Sequence, residues 1–96
     1  MMIEVISKIV AKKDKVDELI AVFKEMIEPT KEEKGYIKYE MYQDIKEPDT
    51  LIVLEQWEGQ DDFDNHCKSR HFELIVPRMV ECMEKESEVN ICSRVA

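Results

Sequence analysis

Residues 2–30 read MIEVISKIVAKKDKVDELIAVFKEMIEPT, and a change of rhythm inside that stretch decides the fold class. From Met2 to Lys12 the side chains alternate, with Ile3, Val5, Ser7, Ile9 and Ala11 on one face and Glu4, Lys8 and Lys12 on the other. A period of two is that of a half-buried strand. From Asp14 to about Thr30 the period lengthens, and Val16, Leu19, Ile20, Phe23, Met26, Ile27 and Thr30 form one stripe of a helix. Asp14 is placed to cap that helix or to supply its first-turn acid, and Pro29 to kink or end it. Gly35 then punctuates the chain before the next element.

Alternation returns over Tyr36–Gln43, with Ile37, Tyr39 and Met41 on one face and Tyr36 and Tyr42 on the other. A polar turn, DIKEPD at Asp44–Asp49, leads into Leu51–Trp57, a nearly continuous apolar strand of the kind covered on both faces. Helical spacing resumes at Gln60 and continues through Phe72, Ile75, Val76, Met79, Val80 and Met83. Pro77 falls inside that run, so two helical pieces or a kink are expected. Val89, Ile91, Ser93 and Val95 alternate as a last strand. The order β-α-β-β-α-β predicts an α+β ferredoxin-like fold, an antiparallel sheet with its helices on one face. Residues 1–96 form one domain, too short for a second. Because helices cover one face only, the apolar second face of Leu51–Trp57 predicts a symmetric homodimer packed sheet to sheet.

The charge balance narrows the partners. Fourteen Lys and Arg against 22 Asp and Glu give a net charge of −8, which repels nucleic acid and anionic membranes, and no basic patch offsets it. No run is long enough to span a bilayer, and MMIEVISKIVAKK lacks the form of a signal peptide. Cys67, Cys82 and Cys92 are odd in number and without C-x-x-C spacing, as in a reducing compartment. A cytoplasmic location is expected.

Candidate chemistry lies in few places. Ser7 is the polar member of the first strand's apolar face, so its hydroxyl either meets a neighbour or borders a cavity, and Tyr39 poses the same choice on the second strand. The segment EQWEGQDDFDNHCKSRHF, Glu55 to Phe72, holds the chain's one tryptophan, Trp57, and both histidines. His66 follows Phe63 by three residues and shares its inward face, as a core histidine or as a base near neutral pH. His71 falls at a break between helical pieces, as a capping or exposed ring or as a peripheral member of a site. Cys67, His66 and His71 lack a further ligand pair, so no metal site is expected. A Cys67–His71 nucleophile would need an oxyanion pocket for which there is no motif. With two glycines, Gly35 and Gly59, there is no phosphate-binding loop, and the acidic runs KEEKG and EGQDDFD read as solvated helix ends.

Taken in order, GYIKYEM (Gly35–Met41), EQWE (Glu55–Glu58), His66 followed by His71–Phe72, and SEVNICSRV (Ser87–Val95) make the chain resemble a known family over essentially its full length. The chain is similar to the antibiotic biosynthesis monooxygenases, small dimeric α+β barrels, and most of all to their quinol monooxygenase-like members. That resemblance implies a pocket between sheet and helices, no metal or flavin cofactor, and a small aromatic substrate oxidised by O2. It also implies His66 and Trp57 as catalytic groups, the first as base or anion partner and the second as support for the ring or as a hydrogen-bond donor through its indole N–H, with Ser7, Tyr39 and His71 binding substrate. The family is functionally mixed. Haem-degrading relatives use an Asn, a Trp and an axial His where this chain has Ser7, His66 and Val76, which argues against haem. A non-enzymatic dimer that sequesters a small ligand, and an isomerase of a small phosphorylated signal, are the alternatives. The latter would need a cation such as Lys38, Arg70, Arg78 or Arg94 in the pocket.

Overall fold

The computed structural model describes residues 1–96. The chain runs β1 (Ile3–Val10), α1 (Val16–Lys31), β2 (Tyr36–Gln43), β3 (Thr50–Trp57), α2 (Gln60–Cys67), α3 (Arg70–Glu81) and β4 (Glu88–Cys92). The strands form one antiparallel sheet in the order β2-β3-β1-β4, the ferredoxin-like arrangement, with its second helix divided into α2 and α3.

The sequence periods account for the packing. Leu19, Phe23 and Met26 of α1 and Met79 of α3 are buried against Ile9, Leu51 and Val53 of the sheet. Each such side chain removed from water contributes about 1.5–3 kcal/mol, which offsets the ordering of the chain. α1 begins at Val16 rather than at Asp14, and its cap position, Lys15, offers no side-chain hydrogen bond. Pro29 lies in its last turn, and the Glu32 and Glu33 N–H groups close the helix onto the carbonyls of Pro29 and Thr30 respectively.

Three local expectations change. Tyr36 does not share the outer face with Tyr42: a bulge pairs Tyr36 with Trp57 and Lys38 with Gln56, leaving Ile37 as the extra residue. One inserted residue reverses the parity of the strand end, so Tyr36 packs edge-on to Trp57 (centroids 6.4 Å apart) while Ile37 is exposed. The break between the last two helices lies at Lys68–Ser69, just before His71 as its position suggested, and α3 runs on through Pro77 without a second one. Ser69 makes the break, because its hydroxyl accepts the Phe72 N–H that opens α3 and donates to the His66 carbonyl that ends α2. The last strand ends at Cys92, short of Val95.

Gly35 is required where the chain enters β2. Its φ of 82° lies in the left-handed region, and a Cβ there would stand 2.2 Å from the Asp62 carboxyl carbon. This tight turn brings the α1–β2 loop, which carries Glu33, against α2.

Candidate active site

Register across the sheet assembles the site. Val5 of β1 and Tyr39 of β2 flank Glu55 of β3; one row along, Ser7 and Met41 flank Val53, and Ile3 and Tyr36 flank Trp57. All three rows face the helices. Above the Glu55 row lies a cavity of about 290 Å³ closed by Phe63 and Cys67 of α2 and Phe72, Val76 and Met79 of α3. Ser7, Tyr39 and Glu55 are the polar side chains on its sheet side, and Val89 of β4 stands at its edge, half exposed.

Glu55 dominates the chemistry of this space. A carboxyl between Val53 and Trp57 on a buried face is held by one hydrogen bond, from the Trp57 indole N–H to Oε1 at 3.0 Å. Burial pushes its pKa up to about 7; the Trp57 bond opposes this, and the charge of Glu33 adds to it. A group so placed exchanges a proton near neutral pH inside an apolar chamber.

His66 and Trp57 lie one layer behind the cavity. The His66 ring is 1% exposed and is surrounded by Trp57, Tyr39 and Phe72, with centroids at 4.8, 5.4 and 5.3 Å. Its Nδ1 meets Glu33 Oε2 at 2.6 Å, and its Nε2 stands 3.8 Å from Glu55 Oε1. Burial lowers its pKa below the usual value, against the pull of Glu33, so the imidazole is neutral at pH 7. With a carboxylate at Nδ1 the proton sits there, and the Nε2 lone pair faces Glu55.

His71 reaches the same Glu33 oxygen from the other side. Its Nε2 is 2.8 Å from Glu33 Oε2, 3.3 Å from Ser69 Oγ and 3.4 Å from Thr30 Oγ1. Glu33, in the run KEEKG, is therefore no solvated helix end; its side chain is 15% exposed and bridges both histidines. The three residues offer ligand atoms within 4.8 Å of one another and could hold a divalent cation, but each atom is engaged in the hydrogen bonds just described. Tyr39 stacks on Phe23 (5.0 Å, 14°), and burial, then Glu55 and Glu33, raise its pKa so that it remains a phenol and a donor. Cys67 is pushed up to about 11 by burial and then by Glu55, Asp64 and Glu33, so it is a thiol rather than a nucleophile.

Of the residues singled out in the sequence, Ser7 and Tyr39 border the cavity, Trp57 and His66 support its floor, and His71 lies beyond Glu33. Glu55 and Glu33 escaped the sequence reading. Glu55 had a signal, since it shares the parity of Leu51, Val53 and Trp57; Glu33 had none, because the run around it is uniformly charged.

The profile of the antibiotic biosynthesis monooxygenases matches residues 2–78. A solved structure of a conserved protein from Methanosarcina mazei Go1 superposes with a TM-score of 0.95 and 38% identity, covering 99% of this chain and 94% of that one. A crystal structure described as an antibiotic biosynthesis monooxygenase gives a TM-score of 0.90 at 24% identity over 98% and 99% of the two chains. An uncharacterised Synechocystis protein, sll1783, is 32% identical over 93% of this chain; the chain spans 60% of that relative's length.

Proposed function

The chain belongs to the antibiotic biosynthesis monooxygenase family, and on that premise we propose that it oxidises a small quinol or related phenolic ring with O2, without metal or flavin. The observation that carries this reading is Glu55, a carboxyl with a near-neutral pKa in a largely apolar cavity. About 290 Å³ is at the small end of ligand pockets, roughly 300–1,000 Å³, and suits one or two fused rings. No Lys or Arg lines the cavity, and Arg78 is spent on a surface pair with Glu25, so a phosphorylated substrate finds no cation there.

In this reading the ring hydroxyl gives its proton to the Glu55 carboxylate. The resulting acid stays hydrogen-bonded to the phenolate, so charge moves without a net charge being added to the chamber. Tyr39 and Ser7 supply further donors. The anion, held away from water, passes one electron to O2; superoxide and the ring radical then combine at a ring carbon bearing hydrogen. Glu55 returns its proton to the outer peroxide oxygen. Loss of the ring hydrogen and of hydroxide leaves a quinone carbonyl and one water, so that phenol plus O2 becomes quinone plus water. The base is assigned to Glu55 rather than to His66 because Glu55 borders the cavity and His66 lies behind it. Trp57 steadies the carboxyl through its N–H.

The homodimer belongs to the same proposal. On the face away from the helices, Ile6 and Tyr42 are exposed and Ile52 and Leu54 half-buried, an apolar strip across the middle strands that a second copy would cover. Oxygen uptake with a panel of reduced naphthoquinols tests the activity. Consumption above the spontaneous rate, abolished in Glu55→Gln, is expected. A protein that shields the quinol from oxygen would instead be a binding module, and the proposal would fall.

A further inference from the structure

Glu55 has a second neighbour besides its substrate. Its side chain is 8% exposed, and that exposure opens into the cavity, where a bound ring would seal it. The Trp57 N–H can donate but cannot accept a proton. Tyr39 of β2, Cys67 and His66 of α2, and Glu33 of the α1–β2 loop are the titratable groups facing it. β1 presents Val5 and Ser7 there, and α3 presents His71 behind Glu33. Only His66 connects onward: Glu55 Oε1 to His66 Nε2 is 3.8 Å, His66 Nδ1 to Glu33 Oε2 is 2.6 Å, and Glu33 Oε2 to His71 Nε2 is 2.8 Å. Exposure of the side chains rises along this line, from 1% at His66 to 15% at Glu33 and 19% at His71.

Resting on the reading of Glu55 as the base, we propose that Glu55, His66 and Glu33 form a proton relay from the cavity to the surface, with Glu33 as the positioning residue that holds His66 in its Nδ1–H tautomer. The gap of 3.8 Å closes to hydrogen-bond length when the Glu55 carboxyl turns about its soft terminal torsion by roughly 1 Å. The protonated Glu55 then gives its proton to Nε2 while Nδ1–H passes its own to Glu33, which releases it to water beside His71. One proton enters the ring and one leaves, so the imidazole stays neutral, as its burial demands, and the reverse transfer, when Glu55 is next protonated, restores the Nδ1–H tautomer. A substrate ring that arrives while Glu55 is protonated meets no base; the relay discharges that proton to the surface with the substrate in place, and the proton that Glu55 then takes from the substrate goes on to the peroxide.

A double-mutant cycle tests the relay. Glu33→Gln in the wild-type background is expected to lower kcat roughly ten- to hundredfold with KM unchanged. In a His66→Gln background the same substitution is expected to do nothing further, because its effect travels through the ring. Equal losses in both backgrounds would mean that Glu33 acts by charge alone, and no loss in either would mean that it does not act; either result overturns the relay. Nitrogen-15 NMR of His66 in the resting wild-type protein needs neither variant nor substrate. A protonated Nδ1 with a bare Nε2 is expected, and the opposite tautomer overturns the relay whatever the activity. Inertness toward every quinol with the expected tautomer would sink the oxidation of quinols and leave the hydrogen-bond arrangement standing.

Discussion

The two faces of β3 differ by one residue in kind and by everything in consequence. Toward the helices it presents Leu51, Val53, Glu55 and Trp57, all buried; away from them it presents Ile52, Leu54 and Gln56, which the chain covers only in part. The inner face is closed within the chain yet carries a carboxyl, whose desolvation is costly and is offset by one hydrogen bond, from Trp57. The outer face is apolar with nothing of its own chain over it. A polar group where burial is complete points to chemistry, and apolar groups where burial is incomplete point to assembly.

Substitutions on each face separate these roles. The largest effect is expected from Glu55→Gln, a loss of about 10²–10⁴ in kcat by oxygen uptake, with the fold retained because the amide keeps the shape and can accept the Trp57 N–H. The same variant changes the pH dependence of stability. Glu55 has a folded pKa of about 7 against 4.5 unfolded, so the folded state holds the proton more tightly. Its contribution is therefore fully present below pH 4.5 and lost as pH rises through 7. Relative to Glu55→Gln, denaturant melts of the wild type should lose about 3 kcal/mol across that window. If Glu55 is the base, activity is expected to need the carboxylate and to rise over the same range.

On the outer face, Leu54→Asp is expected to weaken the proposed dimer by a hundredfold or so in sedimentation, since each copy would bury an unpaired charge, while a monomer retains its circular dichroism. Wild-type protein that is monomeric at micromolar concentration would remove the assembly role. Smaller again is Trp57→Phe. Loss of the indole N–H raises the Glu55 pKa, so the rate profile should move alkaline by up to about one pH unit. Smallest is Arg78→Ala: the Arg78–Glu25 pair is half exposed on both sides, and its thermal midpoint should not move measurably.

Much of this was legible in the chain itself. The alternation of Ile3, Val5, Ser7 and Ile9 and the stripe of Leu19, Phe23 and Met26 report burial directly, because side-chain period and burial have a single cause. The bulge at Ile37 was not legible, since pairing with Trp57 and not local preference sets the parity of Tyr36. Pro77 looked like the breaker, but Ser69 broke the helix by offering its hydroxyl to both flanking turns. Within the site, Ser7 and Tyr39 stood out as hydroxyls on apolar faces. Glu55 was hidden by the habit of reading carboxylates as surface, and Glu33 by acidic neighbours that are solvated as they look. What joined Glu33 to His66 is a turn at Gly35 and a contact across 33 positions of sequence, which no local spacing encodes.

The most direct test concerns the protonation of one side chain. Carboxyl carbon-13 NMR of the wild-type protein, with the Glu55 resonance assigned by its absence in Glu55→Gln, follows that carboxyl through pH without substrate, oxygen or a partner assay. A midpoint near 7 is the expected result. A midpoint at the ordinary 4.5 would make Glu55 a solvated surface acid in effect, and the buried carboxyl could no longer serve as the neutral-pH base of the cavity.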